Sequence, residues 1–214
     1  MKHTKFRDDK MKAKREYIIN ELMKAQFVEH ETERVHLEET EDTGKSVLEL
    51  QLSSGENLSI KNVDKKNTQI HFFVNDKSKS MNKRVDHIVF QCLGGNDWKV
   101  HLIEMKSSVG NNKWPDVKGK FRASYLLVQG IAAMLEMNLV ETCMYTSFEE
   151  TRFEPSGTMP IERRLPVGGR HVRPQEEWSG EKFALNFGDR ISFVHTPVQM
   201  RRNDRNILVG KLSV

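Results

Sequence analysis

Apolar positions at spacings that a helix can gather on one side open the chain. Met11, Tyr17, Ile18, Leu22 and Phe27 share one broad side of a helix predicted over 8–29, with Arg15, Glu16, Asn20 and Lys24 outside it. An acidic linker follows. From Ser46 the period shortens to two, with Leu48, Leu50 and Leu52 opposed to Val47, Glu49 and Gln51, which predicts a half-buried strand over 46–52. A turn at 53–57 returns the chain as a partner strand over 58–63, and 68–74 reads as a further strand. Two apolar segments, 85–91 and 99–106, are joined by Leu93-Gly94-Gly95-Asn96-Asp97, whose glycines suit the positive backbone angles of a tight hairpin. Phe121, Tyr125, Val128, Ile131, Ala132 and Leu135 then mark the apolar side of a helix predicted over 118–138. A strand over 139–148 rejoins the sheet, by a crossover that is right-handed by default. The chain from 149 to 181 shows no clear period, and short strands are expected at 183–187, 190–195 and 207–212. The order of elements predicts an α/β fold with a mixed central sheet flanked by helices.

Three charges break this pattern. Asp86 stands near the start of the first hairpin strand, and Glu104 and Lys106 stand near the end of the second. By alternation Val100, Leu102, Glu104 and Lys106 share one side of their strand, while His101, Ile103 and Met105 take the other. Asp86 shares a side with Ile88 and Phe90, and the glycine turn between the strands sets it beside Glu104. Two neighbouring carboxylates repel unless a cation or a proton lies between them, and a hard divalent ion with oxygen ligands is the natural partner. A lysine alongside would hold an attacking water and offset charge developing on a phosphate. His87 and His101 fall on the opposite side, as packed histidines rather than ligands.

Composition narrows the class. The 214 residues suffice for one domain with an elaborated periphery, and 37% hydrophobic against 30% charged residues is ordinary for a globular protein. No apolar run approaches the roughly 20 residues that span a bilayer, and a basic N-terminus without an apolar stretch after it points to a cytoplasmic protein. Cys92 and Cys143, both in apolar surroundings, read as buried free thiols. The net charge of +4 is small, but its distribution is uneven. Residues 31–60 hold eight acids against two bases, whereas 61–85 holds seven bases against two acids. Arginines cluster again at Arg201, Arg202 and Arg205 and at Arg163, Arg164, Arg170 and Arg173, and such patches suit a polyanion. Trp114, in a polar stretch just past Lys106, is the tryptophan expected to meet a base, and the four arginines are expected to grip a phosphate backbone.

Asp86, then Glu104-Met105-Lys106 across a hairpin, with a helix before and a helix and strand after, resembles the PD-(D/E)xK nuclease superfamily, although Val85 stands where the motif name has proline. The resemblance implies a restriction-endonuclease-like core over 1–148, followed by a C-terminal extension over 149–214 packed on it. It implies Mg²⁺ (or Mn²⁺) held by Asp86, Glu104 and the main-chain carbonyl of Met105, and a water oriented by Lys106. Gln129, in the helix after the Glu-x-Lys strand, and Glu21, in the first helix, would join the catalytic set. The implied activity is hydrolysis of nucleic-acid phosphodiesters, with DNA as the default substrate and a homodimer as the usual device for cutting two strands. Two alternatives stay open on the residues alone. One is a non-catalytic nucleic-acid-binding or assembly protein, in which Asp86, Glu104 and Lys106 form a structural ion cluster. The other is a hydrolase of RNA or small nucleotides.

Overall fold

The hairpin that carries the three charges forms the middle of the molecule. The computed structural model describes residues 12–31, 33–41, 44–53, 56–64, 81–153, 165–167, 170–180 and 182–214, and the strand expected over 68–74 lies outside them. Strand β5 (His87–Gly94) turns through Gly94 and Gly95, both at positive φ (124° and 58°), into β6 (Asp97–Gly110). Helix α2 (Lys113–Met134) follows, and β7 (Asn138–Arg152) then lies parallel beside β6. On the outer side of β5, β4 (Asn57–Lys61) and β1 (Val28–Glu31) continue the sheet in antiparallel fashion. Beyond β7, β11 (Arg190–Gln199) is parallel and β10 (Lys182–Asn186) antiparallel to its neighbour. The result is a mixed seven-stranded sheet in the order β1-β4-β5-β6-β7-β11-β10.

Its two sides are covered differently. α2 lays Trp114, Val117, Phe121, Val128 and Ile131 on one side, against Ile88, Phe90, Val100, Leu102 and Met144. The other side packs on a second sheet, ordered β12-β13-β3-β2, built from β2 (Arg34–Glu41), β3 (Gly44–Gln51), β12 (Arg201–Arg202) and β13 (Leu208–Ser213). Val35, Leu37, Leu48 and Leu50 of that sheet are fully buried against Val89, Ile103 and Met105. The α/β class with a large mixed sheet thus agrees with the sequence. A short helix α3 (Pro174–Ser179) and a small hairpin of β8 (Leu165–Val167) and β9 (Arg170–Val172) complete the described elements.

Several expectations need correction. The alternation over 46–52 is a strand, but it pairs with β2 and β13, not with the strand after it. β2 occupies the stretch where the sequence predicts an acidic linker. Val35 and Leu37 alternate there with Arg34, His36 and Glu38, and the far side of the seven-stranded sheet gives those two apolar residues a surface to bury against. The helix expected over 8–29 is described from 12 and ends at 22 as α1, whose last turn, Ile18–Leu22, is π-helical, and the chain is already in β1 at Val28. Its buried side is Ile19 rather than Tyr17 and Leu22, which are 60% and 67% exposed. α1 is anchored by Arg15, which donates to the Leu135 carbonyl and to Asn96 Oδ1 (3.1 and 2.7 Å) and lies over the Trp98 ring. β7 runs through 148/149, and after it β11 joins the larger sheet and β13 the smaller one. Cys92 and Cys143 are free thiols, and no helix among the described residues is long and apolar enough to cross a membrane.

Candidate metal and phosphate site

The β5–β6 register pairs His87 with Ile103, so one further step brings Asp86 level with Glu104. Both carboxylates face α2, since Ile88 and Leu102, their neighbours on the same sides of the strands, pack in the core beneath that helix. The Met105 N–H donates to Asp86 Oδ2 at 2.6 Å and fixes the aspartate against β6. The Val85 N–H donates to Ser124 Oγ of α2 at 2.9 Å, which ties the approach to β5 down onto the helix. Glu104 has no exposed surface, and Asp86 is 4% exposed.

Two ammonium groups close this pair of acids. Lys106 Nζ stands 2.6 Å from Glu104 Oε1, on the same side of β6 as the two-residue period requires. Lys120 Nζ, reaching in from α2, stands 2.7 Å from the same oxygen and 3.5 Å from Asp86 Oδ1. Lys120 was not legible as a site residue. In the sequence it is one of two lysines flanking Gly119, and only the docking of α2 turns it onto the carboxylates. Burial, reinforced by Asp86, raises the Glu104 pKa to about 8 despite the two lysines. Burial acts against the charge on Lys106 and Lys120, but Glu104 and then Asp86 outweigh it and raise both.

The donor set suits a hard cation. Glu104 Oε2 is buried and takes no hydrogen bond among the described residues, and Asp86 Oδ1 meets only the Lys120 ammonium, so carboxylate oxygens remain for an ion. No third acid, histidine or cysteine gathers with them among the described residues. The remaining ligands of a cation would therefore be the Met105 carbonyl, water or substrate oxygens.

Lys106 also lines a cleft of roughly 230 Å³ at the end of β6. Lys45 and Glu39 come to it from the β2–β3 hairpin, Lys113 and Asp116 from the start of α2, and Arg202 from β12. Lys113 donates to Ser108 Oγ (3.0 Å), and Arg202 makes two bonds to Glu149 (2.7 and 2.8 Å). Four bases thus line the cleft with two acids, and of those bases Lys45 and Arg202 are already paired, to Glu38 (2.8 Å) and Glu149. Arg202 belongs to the basic cluster that the sequence shows at 201–205, whereas no pattern in the sequence marks Lys45 or Lys113, which come from two other elements.

The other residues expected at the site are elsewhere. Gln129 is exposed and nine residues beyond Lys120, which turns the helix by about 180° and moves about 13 Å along it, away from the carboxylates. Glu21 is exposed on α1, the helix that docks beside the β5–β6 turn through Arg15. Trp114 is fully buried, not in a loop. Its N–H donates to Glu177 Oε2 (2.9 Å) and its ring meets Trp178 edge-on (5.1 Å), so it packs α2 onto α3 instead of meeting a base. The Arg173 N–H donates to Glu176 Oε2 (3.2 Å) at the start of α3, and Arg170 lies in β9. Arg163 and Arg164 lie outside the described residues. His101 is buried on the side of the second sheet, between Tyr145 OH and Gln91 Oε1 (3.2 and 2.9 Å). Comparison with protein-family models, with curated proteins and with solved structures finds no match to this chain.

Proposed function

We propose that the chain is a metal-dependent nuclease of the PD-(D/E)xK kind, acting on nucleic-acid phosphodiesters with DNA as the favoured substrate. The carrying observation is the pair Asp86, one residue before β5, and Glu104 on the antiparallel β6, with spare carboxylate oxygens and Lys106 two residues on. The order of helix, antiparallel strands, helix and parallel strand from α1 to β7 supports a restriction-endonuclease-like core.

In this reading Asp86 and Glu104 hold Mg²⁺ or Mn²⁺, which when bound would lower the pKa of a water and neutralise a phosphate oxygen. Asp86 keeps its orientation through the Met105 N–H. Lys106, lining the cleft, orients the nucleophilic water and meets the charge that builds on the phosphate. Lys45, Lys113 and Arg202 carry the flanking backbone.

One observation favours a second reading. Glu104 is completely buried and already meets two ammonium groups, which also describes a closed ion cluster in a nucleic-acid-binding protein that does not cleave. The test is incubation of duplex DNA, single-stranded DNA, RNA and small nucleotides with the full chain and Mg²⁺ or Mn²⁺. Cleavage that is lost in both Glu104→Ala and Lys106→Ala supports the nuclease and names the substrate. Binding without cleavage by the unaltered chain, at every metal tried, refutes it in favour of the closed cluster.

A further inference from the structure

Charge counting at the site leads one step beyond the nuclease reading, on which the step rests. A bound cation requires both carboxylates ionised, and the two negative charges of Asp86 and Glu104 are then already matched by the two positive ones of Lys106 and Lys120. A divalent cation added to that cluster brings two further positive charges into a site with almost no exposed surface, which is costly. Binding becomes favourable if an ammonium leaves or an anion enters.

Lys120 is the ammonium able to leave. Among the described residues it alone touches both acids, Glu104 Oε1 at 2.7 Å and Asp86 Oδ1 at 3.5 Å, so it occupies the place between them that a cation needs. Its side chain is 14% exposed on a flexible four-carbon stem. It lies one helical turn beyond Asp116, which lines the cleft, so both residues are on one side of α2 and the cleft adjoins the path of the departing ammonium.

We infer that Lys120 is an internal stand-in for the divalent cation, displaced towards the cleft when metal binds, so that metal and the phosphate backbone bind cooperatively. The displaced ammonium joins Lys106 and Lys113 opposite the incoming phosphates, and the phosphates supply the negative charge that the metal-loaded cluster lacks. By linkage, metal must then strengthen phosphate binding by the same factor as phosphate strengthens metal binding.

The experiment is calorimetric titration of Mn²⁺ into the full chain, alone and with a short phosphorothioate duplex, for the unaltered protein, Lys120→Met, Lys120→Arg and Glu104→Ala. The unaltered protein and Lys120→Arg should bind Mn²⁺ weakly alone and about tenfold or more tightly with the duplex. Lys120→Met should bind Mn²⁺ about tenfold more tightly than the unaltered protein without duplex, and gain little when it is added. Lys120→Met binding Mn²⁺ no more tightly than the unaltered protein, while Glu104→Ala abolishes binding, overturns the stand-in role and leaves the nuclease reading intact. Absence of any Glu104-dependent Mn²⁺ binding, with and without duplex and in Lys120→Met as well, overturns both.

Discussion

Glu104→Gln is expected to make the metal-free protein more stable, although it removes a residue with no exposed surface. The folded protein raises the Glu104 pKa from the ordinary 4.5 to about 8, so between those values it holds a proton that the unfolded chain releases. Stability therefore falls as pH rises through that window, and levels off above pH 8. Integrated, the cost of ionising Glu104 in the fold is about 3 kcal/mol at pH 7 and about 5 kcal/mol at pH 9. Glutamine has nearly the shape of the protonated acid and never pays that cost. The lysines left behind do not offset the gain, because Lys106 and Lys120 keep 21% and 14% of their side chains exposed and can turn their ammonium groups to water. Urea unfolding in chelator, which removes stabilisation by bound metal, should show no difference near pH 4.5 and an advantage to the variant that widens towards pH 9. A variant less stable than the unaltered protein at pH 7–9 would refute the reasoning, because the cluster would then be a net source of stability, as a structural ion cluster is. Stability sacrificed at a carboxylate is the pattern expected where function holds it in place.

Three further outcomes follow from the same structure. His101 and His195 are pushed down to about 3 by burial, so the unfolded chain takes up protons first. In the Glu104→Gln background, stability should be intact above pH 6.5 and fall by about 3 kcal/mol per pH unit between pH 6 and 4, and a flat urea midpoint over that range would contradict it. Trp114→Ala should cost about 3–5 kcal/mol in unfolding measurements and leave nucleic-acid affinity of the folded protein unchanged, because the ring is core and its N–H serves Glu177. Lys113→Ala should lower the salt dependence of nucleic-acid binding by about one phosphate contact, and Arg202→Ala by less, because Glu149 already neutralises that arginine; equal and negligible effects would remove the cleft from the binding path.

What was legible in the sequence is what short-range periodicity controls. Alternation put Glu104 and Lys106 on one side of a strand, and the glycine turn set the register that brings Asp86 level with Glu104, because both depend only on neighbouring residues along one hairpin. The apolar side of α2 was read for the same reason, although the helix begins five residues earlier, at Lys113. Tertiary structure decided the rest. Whether β3 pairs with β4 or crosses to a second sheet depends on which surface Val35, Leu37, Leu48 and Leu50 can bury against, and that surface is made by strands more than 30 residues away in the chain. Gln129 and Lys120 share one helix, and only the way α2 docks, through Ser124 on Val85 and the core beneath Phe121, turns the lysine inward and the glutamine out. Trp114 looked exposed because its neighbours are polar, but the pocket that receives it is built by Trp178, Phe183 and His195, far along the chain. Periodicity fixes which side of an element a residue takes, and long-range packing fixes what that side meets.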